Sequence, residues 1–370
     1  MSRALAFLTA DRPLDYGARL ARLRWRRAAG AGRAVAWAPS GLAGEALAGA
    51  AEWLLVADPE ALPAFAGPLE ASPGKVLAAE AAVPQSPPFV HSLRELEGAR
   101  LGVAAVQDGR APAAILIRAA DFPAQAGETV TQYADRLLGG SVPRVASPAF
   151  RVVRLDEASD RERPELTRRL PDGPLRILDV GCGAGAGIAG ARARRPAWTV
   201  TGIEWDPALA ARARSRCDRV LEGDLGRVLP ELAAAGDRFD AIVFADVLEH
   251  VDDPATALSA GRRVAAPGAR LLVSVPNVGH LSIARDLVLG RFDPIPAGLT
   301  DARHLRWFTR TFLAEALAES GWREAAIESE KGAPAPGPEA FLALAAEWPD
   351  CDRESLATYQ WVATATNREP

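Results

Sequence analysis

The stretch Ile177-Leu178-Asp179-Val180-Gly181-Cys182-Gly183-Ala184-Gly185 joins a short apolar run, an acid and three alternating glycines. An apolar run of this kind is typical of a buried parallel strand, and the acid then lies at the strand's carboxyl end. The glycines allow the backbone to turn tightly against a bound molecule, because glycine adopts backbone angles that other residues avoid. The stretch therefore predicts a ligand-binding loop between a strand and a helix.

A second glycine pattern overlaps this loop. Residues 185–190 satisfy the dinucleotide pattern Gly-x-Gly-x-x-Gly, which is a weak signal when taken alone. In a dinucleotide-binding fold the first glycine directly follows the strand, whereas Gly185 lies several residues past Val180. The register argues against that fold, and a glycine-rich turn without a ligand is the remaining alternative.

Acids also follow the next three predicted strands. The strands are residues 198–203, 220–222 and 239–245, and the acids that follow them are Glu204, Asp224 and Asp246. A carboxylate at position 204 can accept hydrogen bonds from both ribose hydroxyls of a nucleoside laid across adjacent strand ends. An exposed turn acid is the alternative interpretation of Glu204.

Two motifs carry a family resemblance. Asp179-x-Gly181-x-Gly183-x-Gly185 and Asp246-Val247-Leu248-Glu249-His250-Val251 resemble the first and fourth-strand motifs of class I S-adenosylmethionine (SAM)-dependent methyltransferases. The resemblance implies an α/β, Rossmann-like, seven-stranded methyltransferase sheet over residues 151–370, with its last strand antiparallel. The final strands are predicted at residues 324–328 and 359–365. Residues 1–150 are predicted to form a separate, smaller α/β N-terminal domain of uncertain role.

The resemblance also assigns a cofactor, SAM, with S-adenosylhomocysteine as its product. The glycine loop would hold the amino-acid end, Glu204 the ribose, and Asp224 with Leu225 the adenine ring. Trp205 would stack on that ring, and packing within the protein is the alternative role for it. The full set of implied cofactor contacts is Asp179, Gly181, Cys182, Gly183, Gly185, Glu204, Trp205, Asp224, Leu225, Asp246 and Val247.

The segments after Asn277 resemble a methyltransferase domain 23-like branch associated with polysaccharide and O-antigen assembly. Arg303 and Trp307 differ from the residues usual at these positions in that branch. The resemblance implies a sugar, nucleotide-sugar or glycan acceptor, whose hydroxyl needs a general base. Because histidine titrates near neutrality, His280 or His304 is the predicted base, with a structural role for both as the alternative. The arginines that would add a basic lining are Arg285, Arg291, Arg303 and Arg306.

Asp246-x-x-Glu249-His250 supports a second interpretation. It resembles the Glu-x-x-Glu-His of ubiquinone-pathway O-methyltransferases, in which a divalent ion can lie near the acceptor oxygen. Aspartate at the first position shortens the reach, so a role at a helix start is favoured and no metal site is predicted. The alternatives to the sugar acceptor are therefore a small aromatic or quinone-like acceptor, and a noncatalytic SAM-binding scaffold in polysaccharide assembly.

Composition limits the partners and the compartment. A net charge of −4 over 370 residues argues against a nucleic-acid binder, and no apolar run is long enough to cross a bilayer. Three scattered cysteines and the lack of a signal-peptide pattern predict a protein of the reducing cytoplasm. Cys182 is interpreted as a small residue tolerated beside the cofactor. A homodimer is one assembly that the sequence allows.

The amino-terminal region gives weaker patterns. Strands are predicted at residues 34–37, 53–57, 101–106 and 114–117, with a turn at residues 108–110 between the last two. Six arginines between Arg19 and Arg33 predict a basic amphipathic helix, whose simplest interpretation is a solvated face. Residues 41–63 faintly resemble the nucleotide-sugar half of GT-A glycosyltransferases, with Asp58 and Glu60 in place of the metal-binding acid pair.

Overall fold

The structure is a computed structural model in which the chain divides into two compact units. It describes residues 161–294, 298–331 and 339–368, the strands of the amino-terminal half, and the short stretches 123–129, 132–133 and 136. The first unit comprises Met1–Ala158 and Asp293–Arg303, and the second comprises Ser159–Phe292 and His304–Pro370. The second unit contains all the predicted cofactor contacts.

The first unit is built on one mixed sheet. Its described strands are β1 (Leu5–Leu8), β2 (Ala34–Ala36), β3 (Trp53–Ala57), β4 (Ala61–Phe65), β5 (Val76–Pro84), β6 (Val103–Ala105), β7 (Ala114–Arg118) and β8 (Arg144–Arg154). They pair in the order β2-β1-β3-β7-β5-β8-β4, and β6 pairs with β5 off this path.

The four strands predicted in this unit coincide with β2, β3, β6 and β7. The turn predicted between the last two does not join a hairpin, because β7 already has β3 and β5 on its two edges and β6 pairs with β5 instead. The predicted basic helix at residues 19–33, the turn at residues 108–110, and the acids Asp58 and Glu60 lie outside the described residues.

The second unit contains a seven-stranded sheet. Its strands are β9 (Leu175–Val180), β10 (Trp198–Glu204), β11 (Arg219–Glu222), β12 (Phe239–Ala245), β13 (Ala265–Pro276), β14 (Arg323–Glu330) and β15 (Gln360–Thr366). The order is β11-β10-β9-β12-β13-β15-β14. The first five strands pair in parallel, and β15 is antiparallel to both β13 and β14. The predicted Rossmann-like methyltransferase sheet with an antiparallel last strand is confirmed.

Helices connect these strands and cover both faces of the sheet. They are α1 (Pro164–Thr167), α2 (Ala186–Arg194), α3 (Pro207–Ala213), α4 (Leu225–Ala235), α5 (Pro254–Arg263), α6 (Leu281–Val288), α7 (Arg310–Glu319), α8 (Glu339–Ala346) and α9 (Arg353–Ala357). Aspartates cap several of them; the Asp206 side chain, for example, accepts the backbone N–H groups of Ala208 and Leu209 at the start of α3. Among the described residues, no helix is both long and apolar enough to cross a membrane.

Alternate residues of the central strands pack against opposite helical layers. Leu178 and Val180 belong to a buried cluster with α4, α5 and α7, whereas Ile177 and Val243 belong to a second cluster with α1, α2 and α3. This packing explains the continuous apolar runs in the sequence, because a strand covered on both faces has no solvated side. It also explains the burial of Asp179, which lies inside β9 between these layers.

Candidate active site

The glycine loop after β9 has the geometry that the sequence requires. Gly181, Gly183 and Gly185 have φ angles of 69°, 57° and 81°, in the left-handed region that favours glycine. A Cβ atom built on Gly181 would lie 2.6 Å from Cγ2 of Val247, so the loop and the end of β12 are in close contact. A Cβ built on Gly183 would meet nothing within 4 Å. The loop therefore borders open space at its middle glycine.

Glu204 holds this loop in place from the end of β10. Its buried carboxylate accepts the Gly183 N–H at 2.8 Å through one oxygen and the Asp206 N–H at 2.9 Å through the other. Each carboxylate oxygen can accept a further hydrogen bond, so ribose hydroxyls could still bind here. The alternative of an exposed turn acid does not apply, because Glu204 is only 4% exposed.

Asp179 is almost fully buried, at 3% exposed. Burial raises the pKa of its carboxyl to about 7; the Arg163 guanidinium opposes this rise and the Glu204 carboxylate adds to it. A carboxyl in such surroundings gains stability when a positively charged group approaches. The ammonium group of a bound amino acid would supply such a charge.

The strand register brings the other predicted contacts to the same edge. Glu204 at the end of β10 pairs with Glu222 at the end of β11, so Trp205 and Asp224 follow adjacent strand ends. Trp205 is 74% exposed, which leaves its ring accessible to a ligand. Asp224 is exposed and caps α4 by accepting the Gly226 N–H at 2.8 Å, and Leu225 is half-buried at the first residue of that helix.

Asp246, directly after β12, is held by three side chains. Its carboxylate pairs with Arg163, accepts the Ser274 hydroxyl at 2.8 Å and accepts the amide N–H of Gln360. Burial favours the neutral carboxyl, but the Arg163 charge and these hydrogen bonds outweigh it and hold the pKa below its ordinary value. Asp246 also has a φ of 55°, a conformation that costs about 1–3 kcal/mol and persists only where surrounding contacts enforce it.

Sequence reasoning missed Arg163, Ser274 and Gln360 as members of this site. They are 83, 28 and 114 residues from Asp246 along the chain. No local spacing or periodicity connects such positions. Only the polar Ser274, inside the otherwise apolar run of β13, was a usable signal.

The two candidate bases lie in different surroundings. His280 is 6% exposed and caps α6, because its Nδ1 accepts the Ser282 N–H at 3.3 Å. An acceptor at Nδ1 means that the neutral ring carries its proton on Nε2. Burial lowers the pKa of His280 to about 4. These contacts favour His304 over His280 as a group that accepts a proton from a substrate.

His304 belongs to a group with Glu249 and His250, which follow Asp246 in the 3-10 turn Leu248–His250. One ligand-type atom of each of the three side chains lies within 4.8 Å of the others. The His250 and His304 rings are 4.9 Å apart, and Glu249 is buried. The Glu249 backbone carbonyl accepts the Leu305 N–H at 2.7 Å, which fixes the two segments together.

The donor set of this group fits a divalent cation. Two imidazoles and one carboxylate are common ligands of transition-metal ions, whose bound ligand atoms lie about 3–3.5 Å apart, so a small closure of the group would suffice. Asp246 is not part of the group, because Arg163, Ser274 and Gln360 occupy its carboxylate. The sequence predicted a helix-start role and no metal here; it did not anticipate that His304 joins Glu249 and His250.

This combination of sheet order, one antiparallel strand and an acid-flanked glycine loop is the arrangement of a SAM-dependent methyltransferase. Residues 154–326 match the family model described as a methyltransferase domain. The chain belongs to the class I SAM-dependent methyltransferases, and SAM is its cofactor.

The chain resembles curated relatives and solved structures over parts of its length. The chain is 32% identical over 215 residues to a ubiquinone biosynthesis O-methyltransferase of Dinoroseobacter shibae, a match that covers 56% of this chain and 82% of that protein. It is 36% identical over 126 residues to a protein of the same name from Cereibacter sphaeroides, covering 34% of this chain and half of that one. A SAM-dependent methyltransferase structure from Archaeoglobus fulgidus aligns with a TM-score of 0.40 at 17% identity, over 52% of this chain and 86% of that one. The names of these proteins do not refer to polysaccharide or O-antigen assembly.

Proposed function

We propose that this methyltransferase transfers the methyl group of SAM to an oxygen of a small aromatic or quinone-like acceptor. The observation that carries the proposal is the position of Glu249, His250 and His304 just past Asp246, at the strand end where the cofactor's methyl group would lie. The names of the curated relatives support the same acceptor class. The sugar or glycan acceptor becomes the second candidate.

The cofactor would lie across the ends of β9, β10 and β11. Asp179 and the glycine loop would hold the amino-acid end, because the buried carboxylate and the open space at Gly183 suit a cationic group. Glu204 would accept the ribose hydroxyls, and Trp205 would cover the adenine ring beside Asp224 and Leu225. Asp246 and Val247 would then stand near the transferred methyl group.

Methyl transfer from a sulfonium is an in-line displacement, so the protein must align two reactants and remove one proton. Alignment alone can supply several kcal/mol of the barrier. A phenolic hydroxyl with a pKa near 10 is acidic enough for an imidazole base to remove its proton, whereas an aliphatic sugar hydroxyl is a much weaker acid. His304 is the proposed base, since His280 caps α6 and Asp246 is held by Arg163.

A bound divalent cation is the alternative way to activate the same oxygen. Glu249, His250 and His304 would hold the ion, and it would stabilise the acceptor oxygen as the proton leaves. His304 serves as a ligand in that case and as the base in the other. Titration with Mn²⁺, followed by electron paramagnetic resonance, distinguishes the cation from the His304 base. Mn²⁺ binding that is lost in His250→Ala but kept in His280→Asn would support a bound cation at this group.

The second candidate, a sugar or glycan acceptor, is supported by the sequence resemblance of the region after residue 277. Two of the arginines expected to contact such an acceptor already bind groups within the protein. Arg303 pairs with Asp301 at 2.7 Å, and the Arg306 side chain donates to the Asp252 carbonyl. The Asp301 carboxylate offsets the charge of Arg303, and the Asp252 carbonyl occupies a donor of Arg306 that a phosphate or carboxylate on the acceptor would need.

The test is transfer of labelled methyl from SAM to two acceptor panels, one of catechols and hydroquinones and one of nucleotide sugars and glycans. We expect label in the phenols, and a loss of turnover of about a hundredfold in His304→Gln with SAM affinity nearly unchanged. His280→Asn is the matched control, because asparagine keeps an acceptor for the α6 cap. Label only in the sugars would favour the second candidate, and SAM binding without any transfer would favour a noncatalytic scaffold.

A further inference from the structure

Two of the three cysteines meet beneath the glycine loop. Cys182 and Cys217 are each 8% exposed, and their thiols interact closely enough for each to shift the pKa of the other. Both sulfurs occupy the space left by Gly202 in β10: a Cβ built there would lie 2.5 Å from the Cys182 Sγ and 3.6 Å from the Cys217 Sγ. The two thiols are therefore neighbours in the fold although 35 residues separate them in the sequence.

Hydrogen bonds anchor the segments of both cysteines to β10. Cys217 precedes Asp218, whose N–H donates to the Val200 carbonyl at 2.9 Å and whose carboxylate accepts the Val200 N–H at 2.8 Å. Cys182 lies between two glycines of the loop; its N–H donates to the Ile203 carbonyl at 3.0 Å, and the next N–H, of Gly183, donates to Glu204. A force between the sulfurs would therefore pull on the glycine loop and on its contacts with Ile203 and Glu204.

The interaction between the two thiols makes them chemically unequal. It raises the pKa of Cys182, whose thiol also donates to the Gly183 carbonyl at 3.7 Å, and it lowers the pKa of Cys217. The Arg192 charge lowers the pKa of Cys217 further, while burial and the Asp179 charge oppose this. Cys217 is thus the sulfur that is more readily present as the thiolate, the reactive form of cysteine.

We propose that Cys182 and Cys217 form a reversible disulfide under peroxide, and that this disulfide weakens SAM binding. The Cys217 thiolate attacks the O–O bond of hydrogen peroxide, which gives a sulfenic acid and, after protonation of the leaving hydroxide, one water molecule. The Cys182 sulfur then attacks the sulfenic sulfur, forming the S–S bond and releasing a second water. Overall, two thiols and one peroxide give one disulfide and two water molecules, and the peroxide is reduced.

The effect on SAM follows from the distance that the bond requires. A disulfide holds its sulfurs about 2.05 Å apart, closer than two thiols in van der Waals contact. Because Cys182 is part of the glycine loop, closing this gap would displace the Gly183 N–H and its link to Glu204. The inference rests on the proposal that this loop and Glu204 bind SAM. Bound SAM should in turn disfavour the disulfide, since the coupling free energy between two sites is reciprocal, and by holding the loop in its reduced position it should also slow the linkage.

The experiment treats the full-length protein with hydrogen peroxide, with and without SAM, and digests it with trypsin without reduction. We expect peptide 177–192 linked to peptide 217–219 in the mass spectrum, with slower linkage when SAM is present. By isothermal titration, we expect SAM affinity to fall about tenfold on oxidation and to recover with dithiothreitol. Cys217→Ala should bind SAM like the untreated wild-type protein and resist peroxide, whereas Cys351→Ser should remain sensitive.

Two results would overturn the inference. One is the absence of the linked peptides in protein that binds SAM normally. The other is a linked protein whose SAM affinity equals that of the reduced form. Failure of the reduced protein to bind SAM would instead refute the proposed role of the loop in cofactor binding, so the two failures are distinguishable.

Discussion

Asp179→Asn tests the most unusual electrostatic feature of the site. The pKa of this carboxyl is about 7, against 3.8 for an unperturbed aspartate. At 1.36 kcal/mol per pKa unit, ionised Asp179 costs the folded protein about 4 kcal/mol above pH 7 when no cofactor is bound. Asparagine has nearly the same shape and no charge, so we expect the variant to be more stable than the wild type at pH 8.

The sign of the pH dependence follows from the direction of the shift. Because the folded-state pKa lies above the unfolded one, the folded state binds the proton more tightly, and wild-type stability falls as pH rises from about 4 to about 7. The variant lacks this loss. The stability difference between the two proteins should therefore grow by about 2.5 kcal/mol between pH 5 and pH 8.

The assay is urea unfolding of the cofactor-free protein, followed by tryptophan fluorescence at both pH values. Asp350→Asn is the matched control, since this aspartate is exposed and outside the site. The affinity for SAM should change with pH in the opposite direction to stability. Wild-type affinity should rise with pH through about 7, and the variant should bind SAM at least tenfold more weakly than the wild type at pH 8. A variant no more stable than the wild type, or a difference that does not depend on pH, would refute the account of a buried charge at this position.

Three further substitutions probe the rest of the site. Trp205→Ala should leave stability unchanged and weaken SAM binding by about 1–3 kcal/mol in titration calorimetry, because the exposed ring is proposed to stack on adenine. An unchanged SAM affinity would show that the Trp205 ring takes no part in binding. Gly181→Ala should cost about 2–4 kcal/mol in urea unfolding through its positive φ and the contact with Val247, and adding Val247→Ala should recover only the contact part. Arg163→Gln should destabilise by about 3 kcal/mol because it leaves the part-buried Asp246 carboxylate without its cation. Arg176→Gln, which breaks an exposed pair, should cost about 1 kcal/mol or less; equal costs would argue against a difference between the two pairs.

The strands and the acids that follow them could be predicted because their signals are local. Mostly apolar strand residues in β9, β10 and β12 lead up to Asp179, Glu204 and Asp246, and parallel strands bring their carboxyl ends to one edge. The glycine pattern could be assigned for the same reason, since left-handed φ angles at alternate positions exclude most other residues. The residues proposed to bind the cofactor could thus largely be identified from contiguous sequence.

The surroundings of these residues could not be predicted, because long-range packing determines them. The pairing of Asp246 with Arg163 joins the segment before β9 to the end of β12, and Cys217 reaches Cys182 only through the packing of the turn after α3. His304 meets Glu249 through backbone hydrogen bonds between distant loops. In the first unit, alanine-rich β4 and β5 carry little apolar periodicity, so neither strand was predicted.

The strand order explains why the proposed site divides into a half that would bind SAM and a half that would carry the reaction. Strand order reverses at β9, which has β10 on one side and β12 on the other, and ligands bind in the crevice at such a switch point. Glu204 and Asp224 follow strands on one side of β9, whereas Asp246 and the group of Glu249, His250 and His304 follow β12 on the other. If SAM lies on the first side with its methyl group directed across β9, substitutions at Glu204 should raise the dissociation constant for SAM, and substitutions at His304 should lower turnover. A Glu204→Ala variant that kept full SAM affinity would break this division, because the same carboxylate also positions the glycine loop.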